Sequence, residues 1–168
     1  MNIAIIGTYD IAGGAARAMY RLHQGFQAIG ENSYILSKIK KSDDLKVIHI
    51  NPVFDPSKNP DIEKEKTIQT AYIDKGRSKL SNTLFTFPYP GYDLSQLEAI
   101  KKADVINLHW VAWFQSAETI ASLLSLDKPV VWTLHDMRSF TGGCHYSAGC
   151  EGFVNYCTNC PQLENDYL

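Results

Sequence analysis

NIAIIGTYDIAGGAARA, residues Asn2 to Ala18, is the stretch whose reading decides the fold. Asn2 to Ile6 is a short β-rich run that stops at Gly7. A loop of Thr8, Tyr9, Asp10, Ile11 and Ala12 leads to Gly13 and Gly14, where a helix begins. Ala15, Ala18, Met19, Leu22, Phe26 and Ile29 recur at three- and four-residue steps, so they are expected to form its core-facing stripe, with Gly30 as the stop. Two more β-rich runs follow, Ser33 to Ser37 and Val47 to Ile50. Further on, Leu94 to Lys101 reads as a helix, Asp104 to Leu108 as a buried strand, Gln115 to Leu124 as a helix and Pro129 to Leu134 as a second buried strand. Apolar strands alternating with helices predict an α/β fold, a parallel sheet with helices on both faces, in a single domain.

Between Asn51 and Tyr92 the pattern weakens. Pro52, Pro56, Pro60, Pro88 and Pro90 interrupt it, and only Ile62 to Leu80 has helix-like composition. Residues 51–92 are expected to be an irregular insertion. Nothing repeats internally.

At 168 residues, 45% hydrophobic and 20% charged, the chain has the composition of a folded domain with a substantial core. A net charge of −2 supplies no basic field for a phosphate backbone, which argues against a nucleic-acid partner. Lys38, Lys40 and Lys41 are followed at once by Asp43 and Asp44, as in a solvated loop. The first residues run into an apolar strand without the pattern of a signal peptide, and no apolar run approaches the roughly 20 residues that span a bilayer. The expected location is the cytoplasm, at the inner membrane face if the substrate is lipid-linked.

In a parallel sheet, ligands gather at the carboxyl edge of the strands. Three segments should meet there: Gly13-Gly14, His109-Trp110 and His135-Asp136. Glycines at a helix start let a ligand approach the backbone, and the unpaired N–H groups with the helix dipole favour a phosphate; Arg17 stands one turn in. The spacing Gly7-x5-Gly13-Gly14 is neither the dinucleotide G-x-G-x-x-G nor a Walker loop. His135, just beyond an apolar run, suits a neutral imidazole that hydrogen-bonds a ligand hydroxyl, with Asp136 orienting it or its substrate. The alternative is that Asp136 caps a following turn and His135 is a satisfied, half-buried residue. His109 and Trp110 sit in the same way on the neighbouring strand, and aromatic faces suit sugar rings, whereas Trp113 reads as packing.

Cys144, Cys150, Cys157 and Cys160 fall within one glycine-rich stretch that ends in Cys157-x-x-Cys160. One tetrahedral structural zinc, two disulfides, an iron–sulfur centre and free thiols all remain open, with His145 a substitute for one cysteine. The first pair, C-x5-C, is wider than the usual zinc knuckle.

Taken together, Gly13-Gly14-Ala15-Ala16-Arg17-Ala18 with Tyr20-Arg21-Leu22-His23, Asp104-Val105-Ile106-Asn107-Leu108-His109-Trp110, and Lys128-Pro129-Val130-Val131-Trp132-Thr133-Leu134-His135-Asp136-Met137 resemble the amino-terminal domain of family four glycosyltransferases of the GT-B fold. Phe140 to Tyr146, continuing through Cys150 to Cys157-x-x-Cys160-Pro161-Gln162-Leu163, is similar to a subgroup of bacterial exopolysaccharide and O-antigen synthesis, the colanic-acid type. The resemblance covers nearly the whole chain outside 51–92. It implies a Rossmann-like acceptor-side domain, residues 1–168 with the insertion at 51–92 and a cysteine segment at 140–162, as the amino-terminal half of a two-domain hexosyltransferase. In such an enzyme a sugar passes with retention from a nucleotide-sugar donor to a saccharide or lipid-linked acceptor. The family's glycine loop against the donor phosphates maps to Gly13 and Gly14, and its donor-sugar histidine to His135. The family's nucleotide pocket and E-x7-E element belong to a carboxyl-terminal domain that this chain lacks, so the chain alone is expected to be inactive. The family needs no metal for catalysis, which makes any zinc structural. The rival class is a non-catalytic Rossmann-like binding module with a zinc knuckle.

Overall fold

A computed structural model describes residues 1–51 and 61–164. In chain order it contains strand β1 (Asn2–Tyr9), helix α1 (Gly14–Ala28), strands β2 (Asn32–Ile39) and β3 (Val47–His49), helices α2 (Ile62–Gly76) and α3 (Glu98–Lys102), strand β4 (Val105–Leu108), helix α4 (Ala117–Leu124) and strand β5 (Val130–Trp132). Two 3-10 turns follow, Arg138–Phe140 and Gly152–Val154. The chain divides into two compact units, with boundaries at residues 60/61, 88/89 and 135/136. Pro52, Pro56 and Pro60 of the expected insertion lie outside the described residues. No helix among the described residues is long and apolar enough to cross a membrane.

The first unit is a five-stranded parallel sheet in the order β3-β2-β1-β4-β5. Side chains alternate along β1, so Ile3 and Ile5 join Met19, Ile35 and Val47 beneath α1, while Ala4 and Ile6 join Leu36, Ile100, Ile106, Leu108, Phe114 and Leu123 on the other face. Helices therefore cover both faces, as a parallel sheet requires.

Helix α1 is rotated from the expected stripe. Its buried residues are Ala16, Met19 and His23, whereas Leu22 is 37% and Ile29 73% exposed. An imidazole can take the core-facing position because it is satisfied there: His23 Nδ1 lies 2.8 Å from Ser33 Oγ and Nε2 3.4 Å from Asp44. Gly30, at φ +82°, ends the helix as expected, and Gly30 N and Glu31 N donate to the carbonyls of Gln27 and Phe26 in a Schellman motif.

Two helices start later than the sequence suggests. Leu94 and Leu97 form a packed turn ahead of α3, with Leu97 N donating to Leu94 O. Helix α4 starts at Ala117 because Ser116 caps it: Ser116 Oγ accepts from Thr119 N at 3.1 Å and Thr119 Oγ1 accepts from Ser116 N at 2.9 Å. The expectation that Pro129 to Leu134 forms a buried strand is corrected. β5 is an edge strand, three residues long, with Val131 53% and Leu134 52% exposed; on the Val131 face the buried cluster under α1 is built from β1, β2 and β3.

The second unit unites part of the expected insertion with the cysteine segment. Asp61 caps α2 by accepting from Lys64 N, and Gly76 ends the helix four residues before the expected Leu80. Antiparallel bridges join Arg77 to Leu163 and Phe85 to Cys144, around a small core of Ile73, Phe85, Phe87, Cys144 and Leu163.

Gly91, in the first unit, lies against the capped start of α4. A Cβ there would stand 2.2 Å from Ser116 N and 2.8 Å from Thr119 Oγ1. Gly91→Ala is expected to lower the unfolding free energy by about 1–3 kcal/mol, read from urea denaturation. A variant as stable as the parent contradicts this packing.

Candidate functional site

The strand order reverses beside β1: the chain runs outward through β2 and β3, then returns to place β4 on the other side. The segments leaving β1 and β4 consequently diverge over the carboxyl edge and leave a crevice between them. Backbone bonds tie the two exits together, His109 N donating to Ile6 O and Thr8 N to Trp110 O, both at 2.9 Å, while the Thr8 hydroxyl donates to Ala112 O.

A cavity of about 220 Å³ opens at this point, lined by Gly7, Tyr9, Gly13, Gly14, His109 and Trp110 among others. Gly13, at φ +95°, turns the chain into α1. The first-turn N–H groups of a helix have no intrahelical acceptor, and α1 carries no acidic residue in that turn, so its positive end is unopposed by a local carboxylate. Arg17 is exposed and stands outside the cavity lining. Asp10 fixes the loop before Gly13 by accepting from Ile11 N, Lys41 N and Ser42 N. Burial alone would raise the Asp10 pKa, but these bonds together with that from the Ser42 side chain bring it below the usual carboxylate value.

The histidines expected at the edge form one hydrogen-bonded line. Residues two apart on a strand share a face, so Asn107 and His109 point the same way, as do Val131, Thr133 and His135 on the neighbouring strand. Asn107 Nδ2 donates to Val131 O at 3.1 Å and to Thr133 Oγ1 at 3.0 Å. A carbonyl can only accept, which fixes the amide and turns Asn107 Oδ1 toward His109 Nε2 at 2.9 Å. His109 Nε2 therefore carries the hydrogen. Burial, followed by the neighbouring His135, pushes the His109 pKa down to about 4, so this ring is neutral near pH 7 and its Nδ1 is an acceptor. His135 Nε2, 2.8 Å away, must donate to it. Trp132 Nε1 donates to His109 O at 3.0 Å and steadies the same turn.

Asn107 was quoted in the sequence without a role. The available signal was its polarity: a buried parallel strand reads as a continuous apolar run, and Asn107, 6% exposed, breaks it. Trp113, 8% exposed, packs inside with its backbone at φ +63°.

Asp136 opens the second unit, where its carboxylate accepts from His145 Nδ1 at 2.6 Å and from Arg138 N at 3.0 Å. Thr86 Oγ1 accepts from Arg138 Nε at 2.7 Å and lies 3.0 Å from His145 Nε2. Thr86 is fully buried and His145 2% exposed, so this threonine–histidine–aspartate line ties the unit together. Both ring nitrogens of His145 are thereby engaged, leaving neither for a metal. Cys144, Cys150, Cys157 and Cys160 are all unpaired by disulfides.

The chain is 28% identical over 172 residues to the putative colanic acid biosynthesis glycosyl transferase WcaC of Escherichia coli (strain K12), an alignment covering 98% of this chain. The chain spans 40% of that relative's length. No protein-family model matches the chain, and no solved structure matches it.

Between pH 6.5 and about 4, unfolded chains bind a proton at residue 109 that folded chains do not, so stability falls as pH is lowered through that window. His23, whose pKa burial also lowers, contributes with the same sign. His109→Gln is expected to flatten, though not abolish, the dependence of the urea midpoint on pH across this range. An unchanged slope contradicts the assignment of a neutral, buried His109.

Proposed function

We propose that this chain is the amino-terminal, acceptor-side half of a retaining GT-B glycosyltransferase, moving a sugar from a nucleotide-sugar donor to a saccharide or lipid-linked acceptor in cell-surface polysaccharide synthesis. The observation that carries the reading is a cavity at the strand-order reversal, which is lined both by the start of α1 and by His109, the hydrogen-bond partner of His135. The similarity to a relative described as a colanic acid biosynthesis glycosyl transferase supports the same reaction class.

In the transfer, the bond between the donor's anomeric carbon and its diphosphate oxygen breaks. The acceptor hydroxyl oxygen bonds to that carbon, the nucleoside diphosphate leaves with the electron pair, and the hydroxyl proton passes to the departing diphosphate oxygen. Negative charge grows on the leaving diphosphate. Backbone N–H groups at Gly14 and the residues after it, backed by the dipole of α1, are suited to receive that charge without reorganising. Gly13 and Gly14 leave the approach clear of side chains. His135, held through Nε2 by His109, serves the sugar hydroxyls, and Trp110 supplies an aromatic wall for a sugar ring. The nucleotide itself would be held by a further domain of a longer enzyme.

In that full-length enzyme, His135→Ala is expected to lower kcat/KM by about 10²–10³-fold, the usual cost of removing a donor that stabilises a transition state, with an unchanged circular dichroism spectrum. Wild-type turnover by the variant would remove His135 from the site.

A further inference from the structure

The geometry points to a structural zinc ion held by the thiolates of Cys144, Cys150, Cys157 and Cys160 in the second unit. All four side chains line one cavity of about 20 Å³, close to the volume occupied by a single water-sized sphere. A cavity shared by all four cysteines favours one common centre over separate pairs among the readings the sequence left open. Two disulfides need only pairwise proximity, whereas a tetrahedral ion needs all four sulfurs to face a common centre. Among the described residues, no three His, Cys, Asp or Glu side chains are drawn together closely enough to hold a metal as they stand. Binding therefore requires the sulfurs to close inward to the zinc–sulfur distance of about 2.3 Å.

The surrounding backbone is built for such closure. Gly142 leaves room for Cys157, since a Cβ on the glycine would meet Cys157 Cβ at 2.9 Å. Gly152 N donates to Cys150 Sγ at 3.3 Å, the kind of N–H···S bond that stabilises a thiolate.

The second unit also needs a staple. It contains one regular helix, two isolated bridges and a small apolar core to which Cys144 and Cys160 themselves contribute. Units below roughly 70–80 residues seldom hold together on apolar burial alone and commonly add disulfides or a metal. A zinc ion clamps the carboxyl-terminal segment of this unit, from Cys144 to Cys160, around a single point. The ion takes no part in transfer and is a feature of the fold, independent of the function proposed for the first unit.

The test uses the whole chain, purified under reducing conditions without added metal. Elemental analysis should give one zinc per chain, and a thiol reagent should find the four cysteines blocked until a chelator is added, after which all four react and the chain's thermal transition moves down. Metal-stripped chain titrated with Co(II) should saturate at one equivalent and show the visible bands of a tetrahedral thiolate site, displaced by zinc. This readout needs no cysteine variant that might fail to fold. Four freely reactive thiols with no metal, two disulfides after reducing agent is removed, or iron with inorganic sulfide in the purified chain would each overturn the proposal.

Discussion

The reversal of strand order beside β1 is the constraint on which the site depends. Because β2 and β4 flank β1 on opposite sides, the chain leaves the sheet at β1 and β4 in diverging directions and leaves a crevice between them. Into that gap the first exit brings a helix start with its backbone N–H groups, and the second brings an imidazole. A shared edge for these two groups follows from connectivity, before any side chain is considered.

The side chains then specify direction. An asparagine locked by a backbone carbonyl determines which nitrogen of His109 carries hydrogen, burial keeps that ring neutral, and the neutral ring dictates the tautomer of His135. A neutral acceptor in this position costs less than a second buried cation would, since an uncompensated buried charge is strongly disfavoured. The polar line on an otherwise apolar face is thus fully hydrogen-bonded along its length, as buried polar networks must be.

Much of the first unit was legible in the sequence because buried parallel strands are short apolar runs, as in most of β1, the Tyr34–Leu36 centre of β2 and, Asn107 apart, β4. The start of α1 at paired glycines and its end at Gly30 were also legible, since glycine chemistry marks both. What escaped depends on partners distant in the chain. The face that α1 buries turns on Ser33 and Asp44 satisfying His23, and the edge character of β5 depends on the strand order. The second unit was illegible for the same reason: residues 61–88 and the cysteine segment meet through isolated bridges, which leave no periodic trace. In the site, the sequence brought the Gly13, His109 and His135 segments to one edge. It could not reveal that the two imidazoles bond each other, because that requires the register pairing Asn107 with Val131.

The cavity between the exits of β1 and β4 is proposed to receive the diphosphate and sugar of a nucleotide-sugar donor. A crystal structure of the full-length enzyme with an intact donor analogue tests it most directly. Diphosphate oxygens are expected within hydrogen-bonding distance of backbone N–H groups in the first turn of α1, and a sugar hydroxyl within reach of the His109–His135 pair. A donor bound with its diphosphate away from Gly13 and Gly14 and its sugar away from both histidines would contradict it.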